Sequence, residues 1–283
     1  MPTEARVRIL LATDLDRTLI PNGAAPESPG ARQRFARVAS RPEVMLAYVS
    51  GRHRAMVEEA IAEYALPLPD FVIGDVGTTI YQVQNGDWRE WPDWHQVIGV
   101  DWDGRSAGEL RAMLAPLGGL TPQEEAKQNR YKSSYYALAL ADPQPLLNEV
   151  RVRLESEGIR ANLVWSIDEA ADCGLLDVLP AGASKLHALE FLCGKLDIDH
   201  AHAVFAGDSG NDLEVLAGPL MSVLVANASE DVRQQAIELA AAQGNAGSLY
   251  LARGEAGGMN GNYSAGILEG LAYFLPETRS WWD

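Results

Sequence analysis

Two carboxylates one residue apart, Asp14 and Asp16, close a short apolar run in the stretch Arg8-Ile9-Leu10-Leu11-Ala12-Thr13-Asp14-Leu15-Asp16-Arg17-Thr18-Leu19. Such a run reads as a buried strand of a parallel sheet. Side chains at i and i+2 of a strand share a face. Extended backbone past the strand end would therefore point both acids the same way, near enough to repel unless a proton or a cation intervenes. The blander reading makes the two acids and Thr18 turn and cap residues.

Three later stretches carry chemistry of their own. Gly207-Asp208-Ser209-Gly210-Asn211-Asp212 follows an apolar run and precedes a helical pattern. Two acids, an Asn and two glycines on one strand-to-helix loop suit a hard cation with oxygen ligands such as Mg²⁺. A Gly-Asp turn with an Asp cap accounts for Asp212 but not for that density. Ser50-Gly51 stands between an apolar run and a helix, where a hydroxyl and free backbone N–H groups would cradle a phosphate. A plain Ser cap is the alternative. Lys185 opens a helical pattern, a position unfavourable to the helix dipole unless an anion neutralises it. An exposed Lys there is the common case. Gly77, in Val76-Gly77-Thr78, would let the backbone approach a ligand, or simply turn a hairpin.

The elements that must position these residues follow from periodicity. Helices are expected at 31–38, from about 54, at 106–117, 145–157, from 184, near 213, at 230–242 and at 264–274. Strands are expected at 44–49, on either side of Gly77 within 71–81, and at 131–138, 159–167, 175–179, 202–206, 222–226 and 248–251. Residues 85–104 carry four Trp (Trp88, Trp91, Trp94, Trp102) and many Asp, and read as the entry to a second, smaller domain. Its order, helix-strand-strand twice, describes a small α/β layer with helices on one face. The Trp residues read as packing. The expected division is a core over 1–84, an inserted domain over 85–180 and the rest of the core over 181–283.

At 283 residues the chain holds one large or two smaller domains, and 47 % apolar content allows a full core. A net charge of −16, from 39 acids and 23 bases, argues against nucleic acid as a partner. It does not exclude an anionic phosphate, because a local metal inverts the field of a site. Cys173 and Cys193 form no zinc-like cluster; they allow one disulfide, with free buried thiols in a reducing compartment as the default reading. No signal-peptide pattern precedes the first strand, and no apolar run approaches a membrane span, so a cytoplasmic, membrane-free monomer is expected.

Asp14-x-Asp16-x-Thr18-Leu19, Ser50-Gly51, Lys185 and Gly207-Asp208-Ser209-Gly210-Asn211-Asp212, in that order, resemble the four motifs of the haloacid-dehalogenase-like phosphohydrolases. Val76-Gly77-Thr78, Gln123-Glu124-Glu125, Tyr131-Lys132-Ser133-Ser134 and Val225-Ala226-Asn227-Ala228 further resemble the sucrose-6-phosphate phosphatase group, which includes mannosylfructose-phosphate phosphatase. Arg17 stands where the superfamily commonly has Gly, a position that varies among relatives. The resemblance implies a Rossmann-like parallel-sheet core with an inserted smaller α/β cap, and hydrolysis of a sugar phosphate, foremost sucrose 6-phosphate. It implies that Asp14 attacks phosphorus and Asp16 acts as acid and base. It places Mg²⁺ on Asp14, the Asp16 carbonyl, Asp208 and Asp212, and the phosphoryl oxygens on Ser50, Gly51 and Lys185. Gly77, Thr78, Glu125, Asn129, Lys132 and Asn211 are the implied substrate contacts. A sugar-phosphate synthase is a candidate partner. A mannosylfructose-phosphate or other sugar-phosphate phosphatase is one alternative. A non-catalytic sugar-phosphate-binding module is the other, and it expects loss of Asp14, Asp16 or Asp208, all of which are present.

Overall fold

Strand β1 (Ile9–Thr13) is buried along its whole length. Its side chains alternate between two apolar layers: Leu10 and Ala12 face one, Ile9 and Leu11 the other. A strand covered on both faces needs helices above and below, and apolar residues at every position. The structure, a computed structural model, describes residues 8–138, 142–168 and 171–282.

After β1 come α1 (Ala31–Ala39), β2 (Val44–Val49), α2 (Arg54–Tyr64), β3 (Phe71–Gly74), β4 (Thr79–Gln84) and β5 (Asp87–Glu90). A smaller unit follows with α3 (Pro92–Gly99), α4 (Ala107–Leu114), β6 (Thr121–Pro122), β7 (Ser133–Leu138), α5 (Gln144–Ser156), β8 (Ala161–Asp168) and β9 (Cys173–Pro180). The chain then returns through α6 (Lys185–Leu196), β10 (Ala203–Gly207), α7 (Leu213–Leu216), β11 (Met221–Leu224), α8 (Glu230–Ala242), β12 (Leu249–Leu251) and α9 (Ser264–Phe274).

The larger sheet runs β12-β11-β10-β1-β2-β3-β4-β5. It is parallel from β12 to β3, and β4 and β5 add two antiparallel strands at one edge. The parallel-sheet core with a cap stands as expected, with one difference in detail. Asp87–Glu90, in the stretch read as the entry to the second domain, pairs with β4 and extends the core sheet. The hairpin turn Asn85-Gly86, both at positive φ, makes this pairing local. Polar Asp87, Arg89 and Glu90 hide the strand from an apolar pattern.

The cap sheet is antiparallel, in the order β6-β7-β9-β8, and α4 and α5 pack against it. On β9, Leu176 and Val178 join Leu110, Val150 and Leu154 in the cap core. Leu175 and Asp177, one residue out of phase, face the opposite way and line a cleft. Trp94 and Trp102 are fully buried in an apolar cluster that runs from one face of the large sheet into the cap. Trp282 docks on the other face with Phe35, Val38 and Leu275, its ring under the Arg279 guanidinium at 3.9 Å and its carbonyl accepting a bond from Arg37.

β10, β1 and β2 are neighbours at the centre of the sheet, and the chain leaves β1 toward opposite sides through β2 and β10. Ligands in open α/β sheets bind beyond the carboxyl ends of strands at such a reversal. Asp14, Ser50 and Asp208 immediately follow these three strands.

Candidate active site

Extended geometry ends sooner than the sequence reading expects. The Asp14 amide still donates to Ala206 in the β10 pairing, but the Leu15 carbonyl then accepts the amides of Thr18, Leu19 and Ile20. This tight turn, with Arg17 at φ 55°, buries Leu15 and still brings both carboxylates to one cleft. Arg17 is held there at both ends: Asn22 Oδ1 accepts its amide and Asn227 Nδ2 donates to its carbonyl.

The cleft lies between core and cap and has a volume of about 310 Å³. From the core, Asp14, Asp16, Arg17, Ser50, Gly51, Arg52 and Asn211 line it; from the cap come Gln123, Lys127, Lys132, Ser166, Leu175 and Asp177. Beneath Asp14 lies Lys185, 2 % exposed. Its ammonium donates to Asp14 Oδ1 at 2.8 Å, Asp212 Oδ1 at 2.7 Å and Asn211 Oδ1 at 3.3 Å. Ser184 caps the helix that carries it, and Gly77 fits against that turn: a Cβ on Gly77 would sit 2.4 Å from the Ser184 carbonyl carbon. The Gly77 carbonyl is in turn held by Trp94 Nε1.

Asp212 is fully buried and hydrogen-bonded at both carboxylate oxygens. Its Oδ2 accepts the Asp208 and Ser209 amides and the Ser209 hydroxyl, while Oδ1 takes Lys185. Gly207 has no room for a side chain, because a Cβ would lie 2.6 Å from the Asp212 carboxyl carbon. Asp208 accepts Thr18 Oγ1 at 3.2 Å and lies 3.3 Å from Arg17 Nε.

Burial and the neighbouring carboxylates push Asp14 up to about 7, against the pull of Lys185. Burial and Asp212 likewise push Asp208 up to about 6, against Arg17 and Thr18. Lys185 shifts upward as well: burial disfavours its charge, but two touching carboxylates outweigh it. Asp16 moves the other way. Burial raises it, yet the fork of Arg52 on its oxygens at 2.8 and 2.7 Å, with Asn22 at 2.7 Å, holds it below the usual range.

One oxygen each of Asp14, Asp208 and Asp212 lie within 4.8 Å of one another. Three buried acids against one buried ammonium leave an excess of negative charge, which Arg17, 57 % exposed, offsets only in part. All the donors are oxygens. The set fits a hard divalent cation.

Of the implied substrate contacts, Lys132 and Asn211 line the cleft. Asn129 donates to Thr78 Oγ1 at 2.9 Å, which ties cap to core outside the cleft. Thr78 is fully buried, and Gly77 lies under Lys185. Glu125 is exposed and off the cleft; Gln123 and Lys127, from the same stretch, line it instead. Arg52, Asp177 and Asp75 carry contacts that the sequence reading left without a role. Each had a signal: Arg52 directly follows Ser50-Gly51, Asp177 interrupts an apolar strand, and Asp75 precedes Val76-Gly77-Thr78.

A profile of the sucrose-6F-phosphate phosphohydrolase family matches residues 7–275. The chain belongs to this family, within the haloacid-dehalogenase-like superfamily. A Nitrosococcus oceani protein named only as an HAD-like hydrolase is 54 % identical over 276 residues, 98 % of this chain and 74 % of that one. The mannosylfructose-phosphate phosphatase of Agrobacterium fabrum is 32 % identical over 236 residues, 79 % of this chain and 88 % of that one. The sucrose-phosphatase of Synechocystis, whose X-ray structure holds sucrose and phosphate, shares the fold: TM-score 0.71 at 24 % identity, over 94 % of this chain and 98 % of that one.

Proposed function

We propose that this member of the family hydrolyses a sugar phosphate, foremost sucrose 6-phosphate, with Mg²⁺ as cofactor and an aspartyl phosphate on Asp14 as intermediate. The observation that carries the reading is the convergence of Asp14, Lys185 and Asp212, far apart in sequence, on one buried ion cluster at the floor of a cleft. Asp14 is the attacking group. Lys185 holds its carboxylate in place from below and offers positive charge where the phosphoryl oxygens gather it. Ser50 and the Gly51 amide, at the foot of α2, complete the cradle.

Asp16 delivers a proton to the leaving sugar oxygen and later takes one from the attacking water. Asp14, the Asp16 carbonyl, Asp208 and, behind them, Asp212 would hold Mg²⁺, which when bound supplies Lewis-acid stabilisation of phosphoryl charge. Thr18 and Arg17 orient Asp208 for that role. On the cap, Lys132 meets the sugar hydroxyls, while Gln123 and Ser166 offer further polar partners on the same wall. Sites that pair substrate hydroxyls reject analogues lacking them, since a buried polar group is then left alone.

Phosphate release from a panel of sucrose 6-phosphate, mannosylfructose phosphate and monosaccharide phosphates tests the reading. The expected result is the highest kcat/KM on sucrose 6-phosphate, lost in Asp14→Asn and in excess chelator. A preference for mannosylfructose phosphate would move the assignment to that substrate. Inactivity on every ester with Mg²⁺ present would reject the catalytic reading.

A further inference from the structure

Lys132 stands in the wall of the cleft, only 7 % exposed. Its ammonium lies 3.7 Å from Asp75 Oδ1 of the core and 4.0 Å from Asp177 Oδ1 of the cap. Both separations balance charge, and both exceed hydrogen-bond range. Among the described residues the ammonium meets no acceptor within that range. An ammonium carries three donors, and among the described residues no protein acceptor occupies those of Lys132, which lines the cleft. The donors are therefore free to meet a ligand in the cleft. Asp177 is already engaged, accepting the Ser134 hydroxyl.

Asp75 is fixed differently. It is buried at the end of β3, at φ 51°, and the next two residues also have positive φ: Val76 at 60° and Gly77 at 91°. Non-glycine residues in this region are strained, Asp and Asn less so than others. The strained turn is bonded to the phosphate segment: the Asp75 amide donates to the Arg52 carbonyl at 3.0 Å, and the Val76 amide to the Ser50 carbonyl at 3.2 Å. Its carboxylate thus has a fixed origin in the core and faces a cation that arrives from the cap.

We propose that Asp75 is a positioning residue for substrate selection: across the core–cap junction it aims the Lys132 ammonium at the sugar hydroxyls. This inference rests on the reading of the enzyme as a sugar-phosphate phosphatase. Asp75 does not touch the reacting phosphorus, so its contribution belongs to sugar binding. An interaction of equal strength in ground and transition states changes KM and leaves kcat.

Asp75→Asn tests this, because Asn keeps the shape, tolerates the positive φ and removes the charge. Asp75→Gly, which accepts that φ without strain, serves as the second variant should Asn fail to fold. Steady-state kinetics with Mg²⁺ compare sucrose 6-phosphate with p-nitrophenyl phosphate. The expected result is a fall of about tenfold in the ratio of the two kcat/KM values, carried by KM of the sugar ester. Lys132→Ala should lower the ratio at least as far, and the double variant should go no lower than Lys132→Ala alone. Equal losses on both esters would overturn the proposal and assign Asp75 to holding the Ser50–Arg52 segment. Losses that multiply in the double variant would overturn it too, since the two residues would act independently. A native enzyme that cleaves the aryl ester but discriminates for no sugar phosphate would reject the functional reading itself, and this inference with it.

Discussion

Asp14 and Asp16 are separated by one residue and sit in opposite electrostatic settings. Burial and neighbouring acids raise Asp14, whereas the Arg52 fork outweighs burial at Asp16 and lowers it. On the proposed roles, Asp14→Asn removes the nucleophile, and turnover should vanish. Asp16→Asn keeps the shape but loses the acid and base, worth about 10²–10⁴-fold. An activated aryl ester needs no proton on its leaving group, so Asp16→Asn should still load Asp14 and then stall. Rapid quench should show a burst near one aryl alcohol per site. A burst in Asp14→Asn and none in Asp16→Asn would mean the roles are reversed. The Arg52 fork adds a second expectation. A general acid works below its pKa, and Arg52 holds that of Asp16 down. Arg52→Ala should therefore raise it and move the alkaline limb of the kcat profile on a poor leaving group to higher pH. An unmoved limb would show that Asp16 is not the group being titrated.

At the scale of elements, the short turn after β3 is the brace of the site. It bonds to the Ser50–Arg52 segment, seats the first turn of α6 against Gly77, and meets Lys132 and Asn129 from the cap. Gly77→Ala would push a methyl into the Ser184 carbonyl at φ 91°. Strain at such positions costs about 1–3 kcal/mol. A chain of this size loses roughly 2–4 °C of Tm per kcal/mol. Melting should fall by several degrees, and activity on every ester should fall with it, because Lys185 is displaced; an unchanged Tm would show that the turn yields freely. The same elements explain what the sequence could carry. β1, β2 and β10 were legible because each is a buried apolar run broken by turn chemistry, and the motif residues follow them directly. β5 and α3 were not, since β5 is mostly polar and α3 buries only Trp94, Ile98 and Gly99, a spacing not decisive over eight residues. Glu125 was implied by likeness of its neighbours, but a one-turn helix over Glu125–Lys127 turns Lys127 toward the cleft and leaves Glu125 exposed. Asp75–Lys132 joins residues far apart in chain and domain, and no local pattern records such a pairing.

Across the whole molecule, acidity and function pull apart. The chain carries −16, yet Arg17, Arg52, Lys127 and Lys132 line one cleft above Lys185. A local cluster of cations in a low-dielectric cleft draws an anion through an unfavourable overall field. The proposed Mg²⁺, held by the acids below them, would be a stability determinant as well. Without metal, folding raises Asp14 from 3.8 to about 7 and Asp208 from 3.8 to about 6. At these two groups the folded protein then binds more protons than the unfolded chain between roughly pH 4 and 7. The stability these groups contribute is full below the unfolded value and is lost as pH rises through the folded values. Mg²⁺ competes with those protons, so its binding should tighten over the same window and offset the loss. At 100 times its Kd a ligand stabilises by about 2.7 kcal/mol, on the order of 5–10 °C here. Thermal melting at pH 5 and pH 8, each with chelator and with Mg²⁺, isolates this effect, because other carboxylates contribute equally to both members of each pair. The Mg²⁺-induced rise in Tm should be several degrees larger at pH 8 than at pH 5, and Asp208→Asn should shrink it. Equal shifts at the two pH values would mean that the buried acids are ionised alike in both states, and that protons and metal do not share this site.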